Sequence, residues 1–153
     1  MISTLPPAVK SLFPKENIEF ADSITKEESE KTELQTTVCK RPYLYRVLVQ
    51  VFNKHACFDE IGEMIEAVKE KSPELAKRMR VVLDGNCARL ATLSPEAIAY
   101  SKKVVHFVTH VMCSLTLGKQ FTVEKAEELH KEFHALPAAD QAALKKANPD
   151  IQF

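Results

Sequence analysis

An all-α single domain is the fold class that the sequence predicts, and three observations predict it. Apolar residues recur at helical spacing along most of the 153 residues. Signals typical of helix starts divide the chain into segments of helical length. No segment alternates apolar and polar residues for long enough to be a strand, and only 3 Gly are present to supply positive-φ hairpin turns. We therefore expect seven or more helices in one compact domain spanning residues 1–153.

The N-terminal residues 1–40 are predicted to form a lead of short helices interrupted by proline. A short helix is expected around Ala8–Phe13. Thr25–Glu28 has the form of a capping box and opens a polar helix to about Cys39. Pro42 stands at the predicted first position of the next helix, whose apolar face runs on to His55.

The middle of the chain carries the clearest helix signals. Apolar residues from Phe58 to Val68 follow helical spacing and leave acidic residues mostly outside. Ser72 and Ser94 are each followed by proline and glutamate, which predicts an N-cap, a first-turn proline and an acidic first turn. The second signal opens a helix over about Pro95–Leu117 that is apolar on most of its circumference, so we expect it to be central.

The last two helices are predicted from weaker signals. Thr122 is expected to cap an amphipathic helix that carries Leu129 and Phe133. Pro137 is expected to open a short final helix that ends near Asn148. These apolar stripes predict helices that pack side by side, in a manner similar to a coiled coil.

Charge and targeting features indicate which partners to expect. The 21 basic and 21 acidic residues balance, which argues against nucleic acid or a stably bound anionic membrane as a partner. The N-terminus lacks the apolar run of a signal peptide, and nothing approaches the ~20 apolar residues of a membrane span. The four cysteines form no C-x-x-C pair and are expected to be reduced. We expect a monomeric cytoplasmic protein whose contact with membranes is transient.

Histidine pairs are the main candidates for a metal site. His106 and His110, and likewise His130 and His134, stand four residues apart on a helix, a spacing at which two facing pairs hold a tetrahedral metal. Both pairs lie on or beside polar faces, so we interpret them as surface histidines and expect no metal and no haem. His55 lies on an apolar face, and both a core histidine and a ligand-contacting one remain open.

Catalytic motifs are absent from the sequence. There is no G-x-S-x-G, no H-E-x-x-H and no glycine-rich phosphate loop. We therefore expect no catalytic residue, no cofactor and no enzyme activity.

A polar residue interrupts one apolar stripe. Asn86 lies in the middle of the stripe of the helix that starts after Ser72, and a buried asparagine needs a hydrogen-bond partner. That partner is either another helix or a ligand in a cavity. Arg78 and Arg89 flank the stripe, where they either snorkel to water or meet an anionic head group at a pocket mouth.

Thr25 begins the only run that we interpret as an acidophilic kinase site. The residues Thr25-Lys26-Glu27-Glu28 fit the pattern of casein kinase II. A capping box accounts for the same residues without a kinase, and both interpretations can hold because phosphate is favoured at a helix N-terminus.

Several motifs in order resemble the nematode fatty acid and retinol binding (FAR) protein family. They are His55-Ala56, Lys69-Glu70-Lys71-Ser72-Pro73-Glu74-Leu75, Leu93-Ser94-Pro95-Glu96-Ala97, and an ending with Leu136-Pro137, Leu144-Lys145-Lys146 and Pro149-Asp150-Ile151. The resemblance covers about residues 42–151. It implies a helical protein without enzyme activity that binds fatty acids and retinol in an internal apolar cavity and carries a casein kinase II site. Most members have a secretory leader and often a glycosylation site, whereas this sequence shows neither, so we expect a short intracellular member with a divergent N-terminal lead.

The resemblance implies that the inner apolar stripes of the helices form the wall of the cavity. The expected ligand-binding residues are Phe52, Ile61, Ile65, Val68, Arg78, Met79, Asn86, Arg89, Leu90, Val104, Val108, Met112, Leu115, Phe121, Leu129 and Phe133. The first hypothesis is non-enzymatic binding and intracellular transport of fatty acids and retinol, tuned by phosphorylation at Thr25. The alternative is a helical protein–protein interaction module, and a third is a metal or haem protein that uses the histidine pairs.

Overall fold

The computed structural model describes residues 5–22, 47–48, 50–51, 61–117 and 119–153. Six helices are labelled here in chain order: α1 Pro7–Lys10, α2 Ile61–Lys69, α3 Pro73–Leu90, α4 Pro95–Leu117, α5 Glu124–Ala135 and α6 Ala138–Ala147. Residues 15–22, 47–48 and 50–51 are also helical. All regular elements in these ranges are helices, which confirms the predicted all-α class. The helix predicted from Thr25 to Cys39 lies outside the described residues.

Two of the predicted helix starts are confirmed in atomic detail. Ser72 is the N-cap of α3, and its Oγ accepts a hydrogen bond from the Leu75 amide at 3.4 Å. Ser94 precedes α4, and its Oγ accepts from the Ala97 amide at 3.1 Å. The Ser94 hydroxyl also donates to Asp140 Oδ1 at 2.7 Å, which ties the start of α4 to α6. Serine at these positions satisfies amides that have no partner within the helix.

The prediction that Thr122 caps the fifth helix is wrong. Helix α5 begins at Glu124, and Val123 stands at its N-cap with helical backbone angles and no side-chain capping bond. The Val123 carbonyl accepts from the amides of Ala126 and Glu127, at 2.9 and 3.2 Å. The acidic residues Glu124 and Glu127 complement the positive end of the helix dipole, so this start does not depend on a hydroxyl.

The other helix ends lie close to their predicted positions. Helix α6 follows Pro137 and ends at Ala147, immediately before Asn148. Helix α1 is shorter than the predicted Ala8–Phe13, because the backbone bonds from Leu12 to Val9 and from Phe13 to Lys10 are of the tighter i to i+3 type.

The buried side chains form two separate clusters. The first core combines α1, α4, α5 and α6, and its fully buried members include Val9, Val111 and Phe133. The second core combines the helical residues 47–48 and 51 with α2 and the first half of α3. Helix α4 supplies more buried residues to the first core than any other helix, and it also packs Cys113 and Leu117 against the second, which confirms its predicted central place.

Two further sequence predictions concern cysteines and membranes. Cys87 is a free thiol, as expected, while Cys39 and Cys57 lie outside the described residues. None of the helices in the described ranges has the length and apolar character that crossing a bilayer requires.

Candidate ligand cavity

The two halves of α3 differ in how they bury their apolar stripe. In the first half, Leu75 and Met79 are buried in the second core. In the second half, Val82, Leu83 and Leu90 are only half-buried. These three side chains border empty space, so the second half of α3 forms a wall.

Three voids adjoin one another along this wall. Their volumes are about 530, 100 and 40 Å³, and they are called the large, middle and small voids below. Ile61, Asn86 and Thr109 line all three, from α2, α3 and α4 respectively. The large void has the size of a small-molecule pocket, ~300–1,000 Å³, and the other two extend it between the helices.

Two short turns join the three helices that line the voids. The Ser72 cap follows the turn between α2 and α3, and the Ser94 cap follows the turn between α3 and α4. Helix α2 packs closely against α3, whereas α3 makes few contacts with α4. The voids therefore lie where the second half of α3 is not packed closely against α4.

The structure places seven of the predicted ligand-binding residues on the void walls. They are Ile61, Met79, Asn86, Leu90, Val104, Val108 and Met112. Four others, Ile65, Val68, Leu129 and Phe133, are buried in the two cores, and Leu115 and Phe121 pack against the first core. Phe52, His55 and Thr25 lie outside the described residues.

The two predicted arginines lie beside the voids without lining them. The Arg78 guanidinium lies 5.7 Å from the centre of the Phe20 ring, a cation–π arrangement. Arg89 Nη1 donates to Glu16 Oε1 at 2.5 Å and Arg89 Nη2 to Glu16 Oε2 at 3.4 Å. Arg89 Nη2 also donates to Asn86 Oδ1, so the arginine orients an amide that does line the voids.

The ion pair shifts the titration of Glu16. Partial burial of Glu16 raises the pKa of its carboxyl, but hydrogen bonds from its own backbone and from Arg89 lower it more. The charge of Arg89, and that of Lys15, add to the lowering, and the net pKa lies below the usual value. The positive charge of Arg89 is thus balanced by a neighbouring carboxylate.

Asn17 lines the small and middle voids, although it was not among the predicted ligand-binding residues. Its Oδ1 is buried without a hydrogen-bond partner among the described residues. Asn17 shares a helical face with Ala21, which is buried in the first core. A polar residue within an apolar stripe is the signal that singled out Asn86, and the same signal was present here.

Three of the four paired histidines are surface residues, as expected: His106, His110 and His134 are exposed. The expectation is wrong for His130, which is half-buried. The His130 Nε2 lies 3.1 Å from both the Ser11 Oγ and the Ala8 carbonyl oxygen, so it links α5 to α1. Across the described part of the chain, no three histidine, cysteine or acidic side chains gather as metal ligands would.

Comparison with known proteins decides the family. The family model described as "Nematode fatty acid retinoid binding protein (Gp-FAR-1)" matches residues 45–152. The chain belongs to this family. A solved structure of the lipid binding protein Ce-FAR-7 from Caenorhabditis elegans is 46% identical, with 99% of this chain and 96% of that chain covered and a TM-score of 0.80. A comparison with curated protein sequences finds no match.

A second solved structure shares the fold at lower identity. The fatty acid and retinol binding protein Na-FAR-1 from Necator americanus is 22% identical, with 99% of this chain and 89% of that chain covered and a TM-score of 0.70. The resemblance inferred from the sequence motifs is therefore confirmed, and the fold is that of a FAR-type lipid-binding protein.

Proposed function

We propose that this FAR-family chain binds fatty acids and retinoids, without chemical conversion, in the voids between α2, α3 and α4. The observation that carries the proposal is the 530 Å³ void with its two extensions, walled by half-buried apolar side chains of three helices. Membership of the family and the lipid-binding description of the 46% identical relative support it.

The energetics of an apolar cavity suit a long hydrocarbon ligand. Burying ~16 methylenes at ~0.8 kcal/mol each gives about 13 kcal/mol before costs. Association costs ~4–15 kcal/mol, and the cost falls when the cavity is already formed. A preformed cavity therefore provides useful affinity for a hydrocarbon chain even without a charged clamp.

The large void also has a polar side. Its lining includes Lys102 and His106, both exposed on α4. An exposed ammonium group beside an apolar cavity favours a ligand whose charged end stays near water while its chain enters. A fatty acid has this form, so we place its carboxylate on the Lys102 side of the large void.

Two neighbouring valines on α3 provide a sharp test. Val82 is half-buried and lines the middle void, whereas Val81 is 67% exposed. Val82→Phe fills part of the void and is expected to weaken binding of oleate and of retinol at least fivefold, measured by displacement of a fluorescent fatty acid. Val81→Phe adds the same bulk on the surface and is expected to leave both affinities unchanged.

The unaltered protein provides the first outcome to check. If neither oleate nor retinol displaces the fluorescent fatty acid at micromolar concentration, the carrier proposal fails and a protein–protein interaction module becomes the better hypothesis. Equal losses in Val81→Phe and Val82→Phe would place binding elsewhere than in the described voids.

Phosphorylation and location belong to the proposal as further steps. We propose that casein kinase II phosphorylates Thr25 and thereby tunes binding, on the strength of the Thr25–Glu28 motif. Phosphate uptake by the unaltered protein but not by Thr25→Ala supports this, and equal uptake contradicts it. The cytoplasmic location and the monomeric state stay predictions, which cell fractionation and sedimentation test.

A further inference from the structure

Helix α3 is packed closely along its first half and loosely along its second. Leu75 and Met79 are buried in the second core, where α2 packs against α3. Further along, Leu83 and Leu90 are only half-buried, and the helix makes few contacts with α4. A segment with few buried contacts opens locally at a low free-energy cost. The second half of α3 is therefore the part of the cavity wall that moves most easily.

A glycine stands inside this loosely packed half. Gly85 is helical and exposed, and a Cβ at its position would meet none of the described residues within 4 Å. Neither close packing nor an unusual backbone angle therefore requires a glycine here. Glycine weakens a helix interior relative to alanine, because its backbone bends more freely. What Gly85 adds to α3 is thus a point at which the helix bends.

One ion pair fastens the residues beyond Gly85 to a neighbouring element. Arg89 Nη1 donates to Glu16 Oε1 at 2.5 Å, and Arg89 Nη2 donates to Glu16 Oε2 at 3.4 Å. Glu16 belongs to the helical segment 15–22. In the described part of the chain, no other side-chain hydrogen bond or ion pair joins residues 86–90 to another element. Both partners are partly exposed, so the pair is a weak connection that breaks and forms again easily.

The residues beyond Gly85 also separate the large void from the two inner ones. Asn86 lines all three voids, and Leu90 lines the large and the small void. The large void reaches the surface, since its lining includes the exposed Cys87 and Lys102. None of the described residues that line the middle and small voids is exposed. The route from the surface to the inner voids therefore runs through the large void and past Asn86 and Leu90.

We propose that residues Asn86–Leu90 form a gate that pivots at Gly85, that the ion pair between Glu16 and Arg89 holds it closed, and that it opens to let a lipid pass between the large void and the inner voids. The inference rests on the proposed function for the ligand and adds to it the route and control of ligand exchange. Opening has two consequences, one in the ligand-free protein and one in the kinetics of binding.

Amide hydrogen exchange of the ligand-free protein tests the pivot. Bending at Gly85 breaks the helix bonds that run from the amides of residues 86–89 to the carbonyls of residues 82–85. These four amides are expected to share one protection factor, about tenfold or more below that of the amides of Ala76–Met79. Protection that falls steadily toward Leu90 would indicate a fraying helix end, and equal protection along the whole helix would indicate no opening. Either result overturns the gate.

Gly85→Ala tests whether the bend controls ligand exchange. The variant is expected to slow both uptake and release of a fluorescent fatty acid in stopped-flow mixing about fivefold, the factor that corresponds to ~1 kcal/mol of helix propensity. The dissociation constant is expected to stay unchanged, because the closed helix is stabilised equally with and without ligand. Val81→Ala raises helix propensity at an exposed position before the pivot and is expected to leave both rates unchanged.

Glu16→Gln tests whether the ion pair holds the gate closed. The variant is expected to speed uptake and release alike, by up to about fivefold, and to increase amide exchange of residues 86–89 by the same factor. Added salt is expected to speed exchange in the unaltered protein but not in this variant. Glu19→Gln, which removes a surface pair with Lys15, is the matched control and is expected to leave the rates unchanged.

The outcomes distinguish the gate from the proposed function. A protein that takes up no fatty acid contradicts the proposed function, and amide exchange alone then decides whether α3 pivots at Gly85. If the protein takes up fatty acid but Gly85→Ala alters neither the rates nor the amide exchange, the gate is overturned and the carrier proposal stands. A change in the release rate alone, with a matching change in affinity, indicates a direct ligand contact and also overturns the gate.

Discussion

The ring of Phe133 stacks on the ring of Phe153, with 4.4 Å between the ring centres and 11° between their planes. Tyr100 completes the group at 5.9 Å from Phe133 and 6.0 Å from Phe153. The stack therefore fastens the last residue to α5 and α4 in the first core. Phe153 also lines the small void, so this aromatic group connects the core to the cavity wall.

The stacked rings predict that replacing Phe133 lowers the free energy of unfolding more than replacing Phe153 does. Phe133 is fully buried, and Phe133→Ala is expected to lower the free energy of unfolding by about 3–5 kcal/mol. Phe153 is half-buried, so Phe153→Ala is expected to cost clearly less. Urea denaturation of both variants and of the double variant measures the costs and the coupling, expected at about 0.5–1.5 kcal/mol. Equal single costs would contradict the assigned burial.

Tyr100 predicts a loss of stability at alkaline pH. Burial raises the pKa of its phenol, and the nearby Glu132 carboxylate raises it further. The contribution of this raised pKa to stability is fully present below the unfolded tyrosine pKa of ~10. It is lost as the pH rises toward the folded pKa, by up to ~1.4 kcal/mol per pH unit.

Tyr100→Phe tests this prediction against a near-isosteric side chain. At pH 7 the variant lacks the bond from the Tyr100 hydroxyl to the Leu129 carbonyl, 3.1 Å long, and is expected to be about 1 kcal/mol less stable. Above pH 10 the difference is expected to shrink, because only the unaltered protein must keep a buried phenol protonated. Urea denaturation at pH 7 and 10.5 checks it, and a difference that stays constant with pH rejects the account.

The lowered pKa of Glu16 predicts a loss of stability at acidic pH, whereas the raised pKa of Tyr100 predicts one at alkaline pH. Because its net pKa is lowered in the folded state, its contribution is present above the unfolded pKa of ~4.3 and is lost as pH falls through the folded value. Both partners of the pair are partly exposed, so Glu16→Gln is expected to cost at most about 1 kcal/mol at pH 7. The cost is expected to shrink as the pH falls below the unfolded value, because the protonated carboxyl of the unaltered protein is then as uncharged as the amide of the variant.

A neighbouring acid on the same helical segment supplies the control. Glu19 pairs with Lys15 at 3.7 Å on the surface, and Glu19→Gln is expected to change stability less than Glu16→Gln does. Salt is expected to reduce both effects. A larger loss of stability in Glu19→Gln than in Glu16→Gln would show that the Glu16–Arg89 ion pair stabilises the fold no more than a surface ion pair does.

The serine caps predict a difference between two chemically identical substitutions. Ser72→Ala removes one capping bond and is expected to cost about 1 kcal/mol. Ser94→Ala removes a capping bond and the bond to Asp140 as well, so its cost is expected to be larger. Thermal unfolding of the two variants ranks them, and the reverse order would mean that the link between α4 and α6 carries no free energy.

The sequence predicted the helices better than it predicted the cavity, for a physical reason. Capping serines and prolines act locally, so Ser72, Ser94 and Pro137 could be recognised from their neighbours. A void is a non-local property, because a stripe residue looks the same whether it meets a side chain or empty space. Ile65 and Ile61 lie on one stripe, yet the first is buried in the second core and the second lines three voids.

Arg89 shows the same limit for polar residues. Its place beside an apolar stripe predicted either a side chain that snorkels to water or one that meets an anionic head group, but Glu16, 73 positions earlier, supplies a carboxylate within the protein itself. Asn17 was overlooked because it lies in the lead, where the helix pattern is short. Only the folded chain shows that the two segments meet.

The division of the buried side chains into two cores determines what a ligand in the middle void would contact. The middle void is bounded by Met64 and Met79 from one core and by Val108 from the other, so a bound hydrocarbon touches both. Such a molecule fills space between the two cores that a side chain would otherwise occupy. If the chain binds lipid as proposed, the free energy of ligand binding adds to the free energy of unfolding, and release of the ligand removes that contribution.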